Sequence, residues 1–158
     1  MIRKFNERGH LSRTYNISFK DFKRDFVENN EHYKRHVILD EFKAYLIGIS
    51  SIINQILIEV WINGSFVTDE VEPEDIDFVV FIEKNKIGLA EEIHIFNSQF
   101  AYIDVYGILL EDDLEVVNDW TSYWSYFFST SRELHKKGFL KMKILVENGS
   151  IVDIYNKK

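Results

Sequence analysis

The sequence has no cysteine, which excludes both disulfide staples and thiolate zinc sites. It has one proline, Pro73, and no Pro/Gly/Ser-rich stretch that would read as a linker between domains. No apolar run approaches the ~20 residues of a membrane span. The basic start, MIRKFNERGH, is not followed by the apolar segment of a signal peptide. Positive charge is scarce as well: 19 Lys and Arg stand against 26 Asp and Glu, for a net charge of -7. Broad, sequence-independent binding to DNA or RNA needs a cationic footprint, so that class is disfavoured. A local basic patch, or a nucleotide arriving with its own magnesium, remains compatible with an acidic body. Together these absences fit a cytoplasmic protein with no membrane partner.

What is present is enough to fold. The 158 residues are 46% hydrophobic and 15% aromatic, and a chain of this length buries roughly 70% of its unfolded surface. We expect one domain, 1–158, with a helical N-terminal part (1–55), a central core (56–110), and a C-terminal helix and hairpin (111–158).

Residues 1–17 read as an irregular lead-in. Ser18 with Asp21 resembles a capping box, and Phe19, Phe22 and Phe26 follow at helical spacing, so a helix is expected over about 19–29. His32 and His36 lie four apart, the spacing of two metal ligands on one helical face. No third ligand accompanies them, so they read as surface or capping histidines. A longer helix is expected over 34–55, with Val37, Phe42, Tyr45, Leu46, Ile49, Ile52 and Ile53 on a broad apolar stripe.

Ile56–Ile62 and Ile76–Ile82 are short, apolar and rich in β-branched residues, as strands buried on both faces are. Lys84–Lys86 reads as a turn, Ile87–Asn97 as a helix with Leu89, Ala90, Ile93 and Phe96 inward, and Phe100–Leu110 as a third strand. In Asp113–Thr130, the residues Leu114, Val117, Trp120, Tyr123, Trp124, Phe127 and Phe128 recur at helical spacings. Such a stripe reads as core rather than as a base-stacking platform. Phe139–Val146 and Ser150–Tyr155 flank Glu147-Asn148-Gly149, a strong hairpin signal. The fold class is therefore α/β in the broad sense: an α+β domain with a mixed sheet.

The chemistry concentrates in IEVWINGSFVTDEVEPEDIDFVVFI, residues 58–82. Strand side chains alternate, so Asp75 and Asp77 share a face about 6–7 Å apart while Ile76 turns into the core. Asp104, in the next strand, could join them, cap a loop or pair with Arg132. Three bare carboxylates this close repel one another, and Mg2+ or Mn2+ with oxygen ligands relieves the repulsion. Gly64 has no Cβ, so a phosphate can approach the backbone there. Ser65 adds a hydroxyl and a backbone N–H.

The order strand, Asn63-Gly64-Ser65, nine-residue gap, Asp75-Ile76-Asp77-Phe78, then Asp104 in a later strand resembles the signature of the DNA polymerase β-like nucleotidyltransferase superfamily. More narrowly, the chain is similar over almost its whole length to minimal bacterial and phage nucleotidyltransferase-like proteins. That likeness includes the FNERGHL lead-in, WINGSFVTDEVEPEDIDFVVF, and the Trp124–Gly138 segment with Arg132 and Lys137-Gly138.

The resemblance implies a nucleotidyltransferase-like core with N-terminal helices and a C-terminal β-hairpin. It implies that Gly64 and Ser65 bind a triphosphate, that Asp75 and Asp77 hold two metal ions, and that Asp104 holds the catalytic one. The activity implied is transfer of a nucleoside monophosphate from an NTP to a hydroxyl on a protein or RNA. The setting would be a toxin–antitoxin or phage-defence pair, with a partner encoded by a neighbouring gene. A catalytically silent antitoxin or binding module and a metal-dependent phosphodiesterase are the alternatives.

The sequence departs from the pattern in its acidic loop (Asp69, Glu70, Glu72, Glu74). It also has no basic residue between Ser65 and Asp77. Arg132, Lys136 and Lys137 are the candidates to supply that charge, with Arg132 and Lys137 the nucleotide-binding candidates; as a plain basic turn they would be solvated.

Overall fold

The computed structural model describes residues 5–29, 32–83, 88–110 (backbone only for 107–110), 122–130 and 137–154. The fold is α+β, built on a mixed sheet. Its strands are β1 (Tyr15–Asn16), β2 (Leu57–Asn63), β3 (Ile76–Glu83), β4 (Ile103–Leu110), β5 (Leu140–Glu147) and β6 (Ser150–Asp153). The order is β1-β5-β2-β3-β4, with β6 beside β1 on the outer edge of β5. β2 runs antiparallel to both neighbours, whereas β3 and β4 are parallel. A parallel pair needs a crossover, and α3 (Ala90–Asn97) lies within it.

Alternation along the strands sends side chains to two covered faces. Val60, Ile62, Phe78, Val80, Met142 and Ile144 face the main core with the helices α1 (Phe19–Lys23) and α2 (Tyr33–Ile53). Trp61, Val79, Phe81 and Phe139 face the other way and meet Phe128 and Trp124 of a helix over residues 122–128. The reading of β2 and β3 as strands covered on both sides therefore holds.

Ser18 caps α1 by accepting from the Asp21 N–H at 3.1 Å. Beyond Lys23 the helix widens into a π-helical turn, Arg24–Glu28, in which the Asn29 N–H reaches back to the Arg24 carbonyl. That wider turn buries Phe26 and Val27 side by side. His32 caps α2, its Nδ1 accepting from the Lys34 N–H at 3.1 Å, and His36 is exposed. α2 stops at Asn54, in the left-handed conformation at φ 50°.

Two inward stripes differ from expectation. On α2, Val37 is 37% exposed, while Arg35, Ile38 and Leu39 turn inward. The stripe runs 35-38-42-45-49-53, and Val37 lies off it by about one residue's 100° rotation. On α3, Ile93 is buried but Ala90 is exposed.

The aromatic stripe also divides. Phe128 is buried and Trp124 packs against it, whereas Tyr123 and Phe127 are exposed. A single helix lying on a sheet buries one i, i+4 row, here 124 and 128, and the 123 and 127 row rotates away from it. Asn148 and Gly149 form the hairpin turn with φ 51° and 72°, the two positive values that a type I′ turn requires. Asp153 then accepts from the N–H groups of Phe19 and Lys20 at 2.6 and 3.0 Å, which ties the hairpin to the start of α1. Among the described residues no helix is long and apolar enough to cross a membrane. The expected turn at Lys84–Lys86, the residues Leu114, Val117 and Trp120, and Tyr155 lie outside the described residues.

Candidate active site

Strand register builds the site. Asn63 at the end of β2 pairs with Asp77 of β3, and Asp77 pairs with Asp104 of β4. Gly64 follows Asn63 with φ 83° and ψ -170°, a region open essentially to glycine alone. A Cβ at Gly64 would fall 2.1 Å from Asp77 Oδ2. The Asp77 carboxylate thus rests against the bare Cα of Gly64 on one side. Across the parallel pair its register partner is Asp104, whose charge adds to the repulsion on Asp77. Asp75 sits one residue before β3, and Ile76 between the two acids is buried in the core as expected.

Neighbouring groups hold these positions. Glu41 of α2 accepts from the N–H groups of Ala101 and Tyr102 at 2.9 and 3.1 Å, and the Tyr102 carbonyl accepts from Ile76 N–H at 3.0 Å. Those bonds fix the start of β4, two residues before Asp104.

Gly64 is followed by a single 3-10 turn, Ser65–Val67, closed by Thr68, whose Oγ1 donates to the Ser65 carbonyl at 2.6 Å. Arg35 anchors this segment from beneath. Its guanidinium donates to the carbonyls of Phe26 (2.9 Å), Phe66 (2.7 Å), Thr68 (3.0 Å) and Glu70, with Cζ 5.0 Å from the Phe66 ring centre. Burial pulls its pKa down to about 10, so it remains charged at neutral pH.

Gly64, Ser65, Asp75, Asp77, Asp104 and Lys137 all line one cavity of about 1200 Å³. The structure therefore brings together every described member of the expected site. Arg132 and Lys136 lie outside the described residues. The cavity also gathers residues with no place in the expected site. Asp69, Glu70 and Glu74 add negative charge, Arg8 and His10 come from the lead-in, and Tyr106, Tyr126 and Phe127 form an aromatic side. Tyr126 and Phe127 are 68% and 53% exposed. A signal for Arg8 and His10 existed in the basic lead-in. The aromatic side had none beyond the stripe itself, because periodicity does not say which row faces solvent.

The electrostatics follow from crowding. Burial first, then repulsion from Asp75 and Asp104 together with the hydrogen bond to Asp104, raises the Asp77 pKa to about 7, and Lys137 opposes the shift. Asp75 is raised by burial, then by Asp104 and Glu74. Tyr106 is raised mainly by Asp104.

Among the described residues no three His, Cys, Asp or Glu side chains form a group close enough to hold one metal ion. The three expected ligands line the same cavity without closing into such a group: Asp77 and Asp104 are register partners on β3 and β4, and Asp75 lies within electrostatic reach of both. The donor chemistry nevertheless suits a hard divalent ion, with oxygen ligands only. Two carboxylates near enough to share a proton are also near enough to share a cation in its place.

A family model described as a family of unknown function (DUF6932) matches residues 3–143. The chain belongs to that family. No curated protein and no solved structure matches it. The matched span includes the lead-in with Arg8, all three aspartates and Lys137, so the cavity of this DUF6932 member is lined from within the family region.

Proposed function

We propose that this chain is a metal-dependent nucleotidyltransferase of the cytoplasm. It would move a nucleoside monophosphate from an NTP to a hydroxyl on a protein or RNA acceptor. The observation that carries the proposal is the position of the Asp77 carboxylate, against the bare Cα of Gly64 and in register with Asp104, within one large cavity. That arrangement sets the Gly64-Ser65 backbone beside paired acids.

Asp77, Asp104 and Asp75 are the residues that would hold Mg2+ or Mn2+. When bound, the ions neutralise triphosphate charge and lower the pKa of the acceptor hydroxyl. The chain's own groups do the rest. Gly64 seats the Asp77 carboxylate and lines the phosphate pocket with its backbone, Ser65 offers its hydroxyl, and an Asp104 carboxylate oxygen takes the acceptor's proton. The acceptor oxygen forms a bond to the α-phosphorus, and the bond from that phosphorus to the β-phosphate oxygen breaks, so pyrophosphate leaves. Tyr126 and Phe127 give the cavity a surface on which a base can stack. A partner protein from a neighbouring gene, as in toxin–antitoxin or phage-defence pairs, would deliver or be the acceptor.

The test is incubation with labelled NTPs, Mg2+ or Mn2+ and a cell lysate. Label should pass to a macromolecule with release of pyrophosphate, and Asp75→Asn with Asp77→Asn should abolish it. Absence of both metal-dependent nucleotide binding and transfer would falsify the proposal. The lack of a closed three-ligand group among the described residues favours one second reading, a silent binding module or antitoxin. That reading gains if nucleotide binds and nothing is transferred. Release of a monophosphate product in place of pyrophosphate would mark a phosphodiesterase.

A further inference from the structure

The cavity has an excess of acid, and the segment after Ser65 brings no base to offset it. Among the described residues, its basic lining comes from two places far apart in sequence. Arg8 and His10 belong to the N-terminal lead-in, and Lys137 precedes β5. The lead-in is ordered into a tight loop. Phe5 and Leu11 form a bridge, and Asn6 Oδ1 accepts from the N–H groups of Arg8 and His10 at 2.9 and 3.1 Å. The Asn6 carbonyl accepts from Gly9 at 2.9 Å. Arg8 therefore sits at the tip of a closed loop.

Two contacts fix that loop over the cavity. The Gly9 carbonyl accepts from Asp69 N–H at 3.0 Å, and the Leu11 carbonyl accepts from Gly138 N–H at 2.8 Å. Gly9 has φ +77°, and a Cβ there would lie 2.1 Å from Asp69 Oδ1. The first contact anchors the tip to the acidic loop, and the second ties it to the residue after Lys137.

We propose that Arg8 and Lys137 form a two-part anion clamp, and that the cavity's ligand is a polyphosphate carrying a divalent cation. The proposal deepens the nucleotidyltransferase reading and rests on it for the role of the aspartates. The charge layout argues for this ligand class. A lone divalent cation needs the carboxylates and has no use for the cations. A lone anion gains from Arg8 and Lys137 but meets Asp75, Asp77 and Asp104 as well. A metal polyphosphate presents both signs at once. Arg8 is available for the role, being 45% exposed and paired only loosely with its neighbour Glu7, at 3.7 Å. Such an exposed pair contributes little. A guanidinium can exchange it for a bidentate phosphate contact.

The experiment is calorimetric titration of the chain with inorganic tripolyphosphate in excess Mg2+, at two salt concentrations. The unaltered protein should bind. Arg8→Ala should weaken binding about tenfold or more, with a shallower salt dependence and an unchanged melting temperature, and Arg8→Lys should recover part of the loss. Gly9→Ala, which displaces the tip while keeping the guanidinium, should lose a similar amount. Equal affinity in Arg8→Ala and the unaltered protein overturns the clamp and leaves the nucleotidyltransferase reading standing. No binding of magnesium tripolyphosphate by the unaltered protein overturns the clamp and its ligand class, while the nucleotidyltransferase reading falls only if NTP binding and transfer are absent too.

Discussion

Replacing Asp77 by Asn tests the site through stability alone, with no substrate in hand. The Asp77 pKa stands at about 7 in the folded chain against an ordinary 3.8. A carboxyl with a raised folded pKa stabilises the fold in its neutral form. That contribution is full below pH 3.8 and is lost as pH rises toward 7. The gap between the two values corresponds to about 4 kcal/mol in full, and solvent screening of a partly shielded group brings that to roughly 2 kcal/mol.

Asn keeps the shape of the neutral acid and can still donate to Asp104. Asp77→Asn should therefore match the unaltered protein only at and below pH 3.8, exceed it by part of that amount at pH 5, and exceed it by all of it at pH 8. At roughly 2 to 4 °C per kcal/mol for a chain of this size, the melting temperature at pH 8 should rise by about 4–8 °C. The assay is thermal unfolding by circular dichroism in metal-free buffer from pH 5 to 8. An unchanged pH slope in the variant, or a lower melting temperature at pH 8, refutes the crowded-carboxylate account. Adding Mg2+ to the unaltered protein at pH 8 should raise its melting temperature, and Asp77→Asn should largely abolish that gain.

Gly64→Ala places a methyl 2.1 Å from Asp77 Oδ2 at a φ of 83°. It should cost about 2 kcal/mol or more of stability in denaturant unfolding and abolish the Mg2+ stabilisation. If the metal effect survived intact, Gly64 would not be what seats Asp77. Arg35→Ala removes the donor for four carbonyls and should cost on the order of 3–5 kcal/mol. Arg35→Lys should rescue little, since one ammonium cannot span the positions that the guanidinium forks between. Full stability in Arg35→Lys would show that buried charge, and not the fork, holds the 66–70 segment.

The local elements were legible because their causes are local. Ser18 accepts the one bond its position predicts, and Asn148-Gly149 turns as such pairs do. The strand carrying Asp77 and the one carrying Asp104 could be read from β-branched runs, and the signature's spacing placed Gly64 beside them. The pairing of β5 with both β1 and β2 could not be read. It depends on contacts such as Tyr15 with Leu140 and Leu57 with Leu145, far apart in the chain, and no local pattern records them.

Arg35 shows how a local pattern can mislead. It occupies an inward position on α2, where a stripe of apolar residues predicts another apolar side chain. The sequence presents it as an interruption. Its four carbonyl partners lie on segments near residues 26 and 66–70. The carbonyls near 66–70 belong to a loop with no ladder partners, so a buried cation there satisfies groups that would otherwise be costly.

Charge reasoning had a similar blind spot at the cavity. With no base between Ser65 and Asp77, the sequence offers Arg132, Lys136 and Lys137 as the supply, and no local pattern ties Arg8 to the site. In the folded chain, the loop carrying Arg8 is tied to Asp69 on one side and Gly138 on the other. The acidic loop that looked unsuited to a triphosphate is therefore also the anchor for a cation. The excess of acid and the supply of base at this site are two consequences of one loop contact, and a variant that breaks the Gly9–Asp69 contact should disturb both together.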